Sequence, residues 1–278
     1  GKVTGEGNDT GGLVGGAWNS TITNSYATGE VTGEGNYTGG LVGYAYSSTT
    51  ITNSYATGKV TGEGNDTGGL VGDAWDSTIT NSYATGEVTG EGDYTGGLVG
   101  EAIYSTIENS YATGSVTGTE RYTGGLVGLA DDSSITNSYA TGKVTGEGNY
   151  TGGLVGYAGD STITNSYATG KVTGTSYTGG LVGETYESTI TNSYATGKVT
   201  GTRYTGGLVG YAWDSTITNS YSAGSVTGTE RYTGGLVGKA YSSTTITNSY
   251  WDTETTEQTK SAGGEGKSTD EMMKKATY

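Results

Sequence analysis

The side chains of this chain that could do chemistry are carboxylates and hydroxyls. Its 278 residues include 28 Asp and Glu but no His and no Cys. Imidazole and thiolate metal sites, disulfides and Ser-His or Cys-His nucleophiles are therefore excluded. Oxygen donors remain, and they suit a hard cation such as Ca2+. Two acidic series recur. Glu6, Glu34, Glu63, Glu91 and Glu147 stand in Gly-Glu-Gly, and Asp76, Asp132, Asp160, Glu187 and Asp214 each precede a Ser. Equivalent acids stacked about 5 Å apart would repel one another, and bound Ca2+ would relieve this. A solvated acidic surface explains both series more simply, and the Gly-Gly-x-Gly-x-Asp calcium nonapeptide is absent. No cofactor is expected, calcium being the one with a rationale. Glycoside cleavage needs a few carboxylates at one non-repeating cleft. Here nearly every acid occupies a repeated position, so no catalytic residue is assigned and no enzymatic activity is expected.

What must position these groups is a repeat. Gly is about a fifth of the chain, Leu, Ile and Val together number only 38, and the net charge is −15. Such a composition reads as disordered, since little apolar surface is available to offset the entropy of ordering. Periodicity overturns that reading. Gly-Gly-Leu-Val-Gly occurs nine times, with leucines from Leu13 to Leu236 spaced 27 to 29 residues apart. Ile-Thr-Asn-Ser-Tyr keeps step from Ile22 to Ile246, with Glu108 replacing one Thr, and Ala-Thr-Gly-x-Val-Thr-Gly joins unit to unit. β-branched residues and Gly dominate, and no helical stripe appears. Three β-prone runs fall in each unit: Lys-Val-Thr, Leu-Val-Gly-x-Ala and Ser-Thr-Ile-Thr. The expected fold is all-β, a parallel β-solenoid of about nine three-faced coils of ~28 residues over 1–250.

Alternation along strands predicts orientation. The position after Leu-Val-Gly holds Gly16, Tyr44, Asp73, Glu101, Leu129, Tyr157, Glu184, Tyr211 and Lys239, a set that should face water. Counting back, Leu13, Gly15 and Ala17 should point inward, and the Val column (Val14, Val42, Val71 onward) outward as an apolar stripe for lateral packing. Ile22 and its equivalents should point inward between outward Thr pairs: Thr21 and Thr23, Thr50 and Thr52, Thr78 and Thr80, and so on. That flat hydroxyl array resembles the ice-binding face of β-solenoid antifreeze proteins, although Glu108 and Ser134 interrupt it. A regular column, Tyr26, Tyr55 and Tyr83 through Tyr250, should stack outside. A second runs from Tyr37 to Tyr232, interrupted by Asp9 and Asp66. The Asn before each Ser-Tyr suits a left-handed corner that bonds up and down the stack. Sequons stand at Asn8, Asn19, Asn36, Asn65 and Asn149; four of them repeat at one corner and would line one edge if glycosylated.

Gly-Gly-Leu-Val-Gly followed by Ile-Thr-Asn-Ser-Tyr-Ala-Thr-Gly resembles the GLUG repeat family, over about residues 1–250. The resemblance implies a large bacterial or archaeal surface protein, of the kind that includes filamentous-haemagglutinin-like adhesins and IgA-cleaving metallopeptidases. The zinc motif of those peptidases needs His, which this chain lacks, so if it came from such an enzyme it would be a non-catalytic arm.

From Trp251 the period stops. Ser268-Thr269-Asp270-Glu271 has capping-box spacing ahead of Lys274-Lys275, predicting a short helix near 269–275 within a capping segment, 251–278, that covers the last coil. Gly1 already lies inside a motif, so a piece of a longer chain is expected. The function expected is structural: an extracellular or cell-surface rod, filament subunit or adhesin stalk. It would associate with itself end to end or side by side. The alternative is a binding module for carbohydrate, calcium or ice through the Tyr and Thr columns. The acidic balance argues against nucleic acid, and no apolar run approaches a membrane span.

Overall fold

The structure, a computed structural model, describes residues 1–241 and 243–274. The repeat forms a parallel β-solenoid of nine coils. Each coil carries five strands rather than the three expected. In the first they are β1 (Lys2–Gly5), β2 (Asp9–Gly11), β3 (Val14–Trp18), β4 (Thr21–Thr23) and β5 (Tyr26–Ala27). Equivalent strands pair in parallel, like on like: Val3 on Val31, Asp9 on Tyr37, Val14 on Val42, Ile22 on Ile51, Tyr26 on Tyr55. Four sheets of nine strands and one of ten result. The β2 and β5 strands are only three and two residues long, too short to show an alternating pattern in the sequence.

One apolar cluster runs along the axis. In the second coil Leu41, Val42, Ala45, Ile51 and Ala56 are all at most 1% exposed, and the same five positions recur in the next coils. Leu13 is 52% exposed in the first coil. Each buried aliphatic contributes about 1.5–3 kcal/mol, so a chain poor in such residues folds because nearly all of them are buried. The expected outward Val stripe does not exist. Val42 and Val71 are fully buried, and Val14 packs on the core. Alternation counted back from the position after Leu-Val-Gly misplaced Val, because that position does not face open water and the β3 strands begin at Val. Leu sits in the bend before them, so Leu and Val both reach the axis.

The glycines of Gly-Gly-Leu-Val-Gly are there for space. A Cβ on Gly124 would fall on the Val127 carbonyl, and one on Gly125 on the Gly153 carbonyl of the next coil. Among the described residues only one glycine, Gly264, has a positive φ. The left-handed corners belong instead to Asn24 and its equivalents through Asn248 (φ 47 to 51°) and to Asp76, Asp132, Asp160, Glu187 and Asp214 (φ 46 to 49°). Short polar side chains tolerate this conformation. The asparagines also bond along the stack, Asn165 Nδ2 donating to Asn137 Oδ1 at 3.1 Å and Asn219 Nδ2 to Asn192 Oδ1 at 3.1 Å. Beside them runs a buried serine ladder: the Ser82 N–H donates to Ser110 Oγ at 3.2 Å, and Ser110 Oγ donates to the Glu108 carbonyl at 2.8 Å. Corner donors that would otherwise be buried without partners are thereby satisfied.

At the far end a strand at Tyr250–Asp252 continues the β5 sheet and pairs with a final strand at Glu265–Lys267. Trp251 takes the place of Ala and is 7% exposed, its Nε1 donating to the Gln258 carbonyl. The connecting segment satisfies edge groups of the last coil. Gly235 N–H donates to the Lys260 carbonyl, Val226 N–H to that of Thr256, and Val237 N–H to Ser261 Oγ. The helix α1 spans Thr269–Met272 with the expected capping box, Ser268 and Glu271 bonding reciprocally. Lys275 lies outside the described residues. The segment ahead of the helix, rather than the helix, covers the coil.

Candidate functional site: an acidic slot in a tyrosine groove

Two surfaces carry residues singled out in the sequence. On the β4 sheet Thr50, Thr52, Thr78 and Thr80 flank buried Ile51 and Ile79 and face outward, as do Thr21 and Thr23. Thr80 registers with Glu108, and Thr106 with Ser134, so the hydroxyl plane is broken midway. On the adjoining β5 sheet Tyr26, Tyr55 and Tyr83 begin a ladder of parallel rings. Tyr26 and Tyr55 are 5.2 Å apart, Tyr55 and Tyr83 4.9 Å, and the spacing stays near this through Tyr221. A third surface, not foreseen, is the outer end of the β3 sheet, where Trp18, Trp75 and Trp213 are 66%, 42% and 38% exposed.

The position after Leu-Val-Gly does not face open water. It faces the second Tyr column, because the β2 and β3 strands fold against each other and close a groove. Tyr44 stacks on Tyr37 at 4.7 Å. Tyr157 meets Tyr122 and Tyr150 edge-on at 5.7 and 5.9 Å, and Tyr211 meets Tyr177 and Tyr204 at 5.5 and 5.4 Å. Lys239 Nζ lies 4.9 Å over the Tyr232 ring. Rings fill the groove by edge and face contacts suited to their quadrupoles.

In the third coil the filler changes. Asp66 replaces the column tyrosine, between Tyr37 and Tyr94 in register. Opposite it stands Asp73, which registers with Glu101 of the fourth coil. One ligand oxygen from each of the three lies within 4.8 Å of the others. Asp66 and Asp73 are only 3% and 4% exposed, while Glu101 is half-buried. Asp66 Oδ1 and Asp73 Oδ1 are buried without a hydrogen-bond partner. No ion pair among the described residues involves any of the three. Burial, reinforced by the Glu101 and then the Asp73 charge, pushes the Asp66 carboxyl up to about 9. Burial and Glu101 push Asp73 up to about 8, and burial and Asp131 push Glu101 up to about 7. The physical cause is common to all: a charged carboxylate without water or a counter-charge is disfavoured.

This is the one place among the described residues where three or more metal-ligating side chains converge. Neither corner series contributes to it. Among the described residues, no group of three converging ligands includes Glu6, Glu34, Glu63, Glu91 or Glu147, or Asp76 and its equivalents. Nor is every acid a repeat position without a break, since the slot is such a break. The signal was in the sequence, as Asp66 interrupts the Tyr column seven residues before Asp73. Asp9 interrupts the same column but faces Gly16 and is exposed, so it forms no slot.

The fold and its ladders define a parallel β-solenoid repeat protein. The GLUG motif matches at residues 6–32, 34–61, 63–89, 91–117, 119–145, 147–173, 174–200 and 201–227. These segments make up most of the chain, which belongs to that family. No curated protein matches it.

Proposed function

We propose that the chain is a non-enzymatic structural rod, a stiff spacer or stalk within an extracellular or cell-surface protein. The observation that carries this is the unbroken like-on-like register of five sheets through nine coils. At ~4.8 Å per strand this gives a body about 40 Å long. Backbone pairing runs along the axis, and every coil adds Asn, Ser and Tyr ladders that resist bending. The converging acids do not suit catalysis, since a sugar cannot reach Asp66 or Asp73 while they are buried. A stalk is favoured over a filament subunit by two features. The last coil is covered by 251–267, and the Val column that would have supported lateral packing is inside. Electron microscopy over a range of concentrations tests this. Single short rods at every concentration fit the spacer. Fibres that lengthen with concentration would instead make it a filament subunit.

A second reading is favoured by the exposed Trp18, Trp75 and Trp213. Flat aromatic faces on a rigid sheet suit stacking against sugar rings, and glycans are the partner they would take. Binding to a glycan panel that disappears in Trp18→Ala/Trp75→Ala would support it, and no retained glycan would remove it. The ice-binding reading is the weaker one because Glu108 and Ser134 interrupt the Thr plane. Absent thermal hysteresis would end it.

A further inference from the structure

We propose that Asp66, Asp73 and Glu101 hold one divalent cation, Ca2+ by preference, and thereby clamp the third coil to the fourth. The donor set is all oxygen, which selects hard cations over Zn2+ or Cu2+. Ligand oxygens within 4.8 Å of one another need only small side-chain shifts to share an ion held about 2.4 Å from each. The slot is mostly buried and offers few places for water, which disfavours Mg2+, an ion that keeps several waters.

Convergence of acids alone would not carry this, because acidic clusters are common on a chain of net charge −15. The further observation is that Asp66 Oδ1 and Asp73 Oδ1 are buried and have no partner, on side chains 3% and 4% exposed. Buried polar atoms are nearly always bonded, and these two belong to the carboxylates that converge with that of Glu101. In the other coils at least one wall of the groove carries a ring, save in the first, where exposed Asp9 faces Gly16. Here rings give way on both walls within one coil, and the next coil supplies the third acid. Glu101 is half-buried and opens the slot to solvent, so an ion has a way in. The proposal stands whether the rod is a stalk, a filament subunit or a glycan binder.

The test is calorimetric titration of Ca2+ into the full chain after chelator treatment and desalting, at pH 7.5. One saturable site is expected. Asp66→Asn with Asp73→Asn should weaken it about 100-fold or more, since charge count sets affinity in such sites. Glu184→Gln, an acid in the same groove without acidic neighbours, should leave it unchanged. Circular dichroism of each variant shows whether it has folded. Because Tyr37 and Tyr94 flank Asp66, Tb3+ luminescence excited through tyrosine and displaced by Ca2+ reads the site in the unaltered chain, independently of any variant. Absence of a saturable Ca2+ site, or a site that survives in the folded double variant, overturns the proposal.

Discussion

Two stretches of one groove share a backbone and differ in what fills it. From Tyr122 to Tyr232 the slot between the β2 and β3 sheets is closed by rings in mutual contact, with Lys239 over the last of them. At the third and fourth coils the same slot holds Asp66, Asp73 and Glu101. The rings satisfy each other. The acids do not, and two of their oxygens lack a partner. A repeat scaffold lets such an exchange occur without disturbing the fold, because the same Leu, Val and Ile positions form the core behind the groove in both stretches.

That last statement can be broken most directly in the core. Leu98→Ala, behind the acids, and Leu154→Ala, behind the rings, should each cost about 2–5 kcal/mol, with equal costs measured by denaturant unfolding in chelator. Unequal costs would mean that the groove and the core are coupled. A smaller effect of opposite sign is expected from making the third coil resemble the fifth. Asp66→Tyr with Asp73→Leu should stabilise the chelator-treated protein by about 1–4 kcal/mol, because buried carboxyls with unpartnered oxygens are replaced by packed rings and apolar groups. Calcium should no longer raise its melting temperature.

The pH dependence separates the stretches further. Asp66, Asp73 and Glu101 have folded-state values raised to about 9, 8 and 7 by burial and by one another, Asp93 and Asp131 adding their charge. In the unfolded chain they ionise near pH 4. Between those limits the folded state binds more protons, so stability falls as pH rises from about 4 to about 9 and levels off above. Melting curves in chelator should show this slope, flattened in Asp66→Asn/Asp73→Asn. The nearby tyrosines do not compete in this window, since burial pushes Tyr44 and Tyr94 up to about 12. In the outer ladder Tyr139→Ala removes two stacked contacts at 4.9 Å and should cost about 1–3 kcal/mol. Lys59→Ala, which removes an exposed 3.4 Å pair with Glu87, should change stability by less than ~1 kcal/mol.

Much of the fold was legible because apolar anchors recur in phase. Leu, Ile and Ala were placed inside, Asn at left-handed corners and a capped helix at the end, each from a residue type with one physical use there. What stayed hidden lay in short strands. Asp-Thr-Gly and Tyr-Ala are too brief to show a period, so β2 looked like a corner and its partner surface on β3 looked like solvent. The Val column was misplaced for the same reason, alternation having been counted back from that supposed solvent face. The slot was invisible without β2, although Asp66 was plainly a break in the Tyr column. The exposed tryptophans vary from coil to coil, so no repeat pattern drew attention to them.

The acid stretch can be examined most directly by a crystal structure of the chain soaked with Tb3+, a stand-in for Ca2+, with anomalous diffraction locating the ion. A single strong peak between Asp66, Asp73 and Glu101 is predicted, with the groove from Tyr122 to Tyr232 empty of peaks. Peaks only at the exposed corner acids, or none at all, would contradict the account.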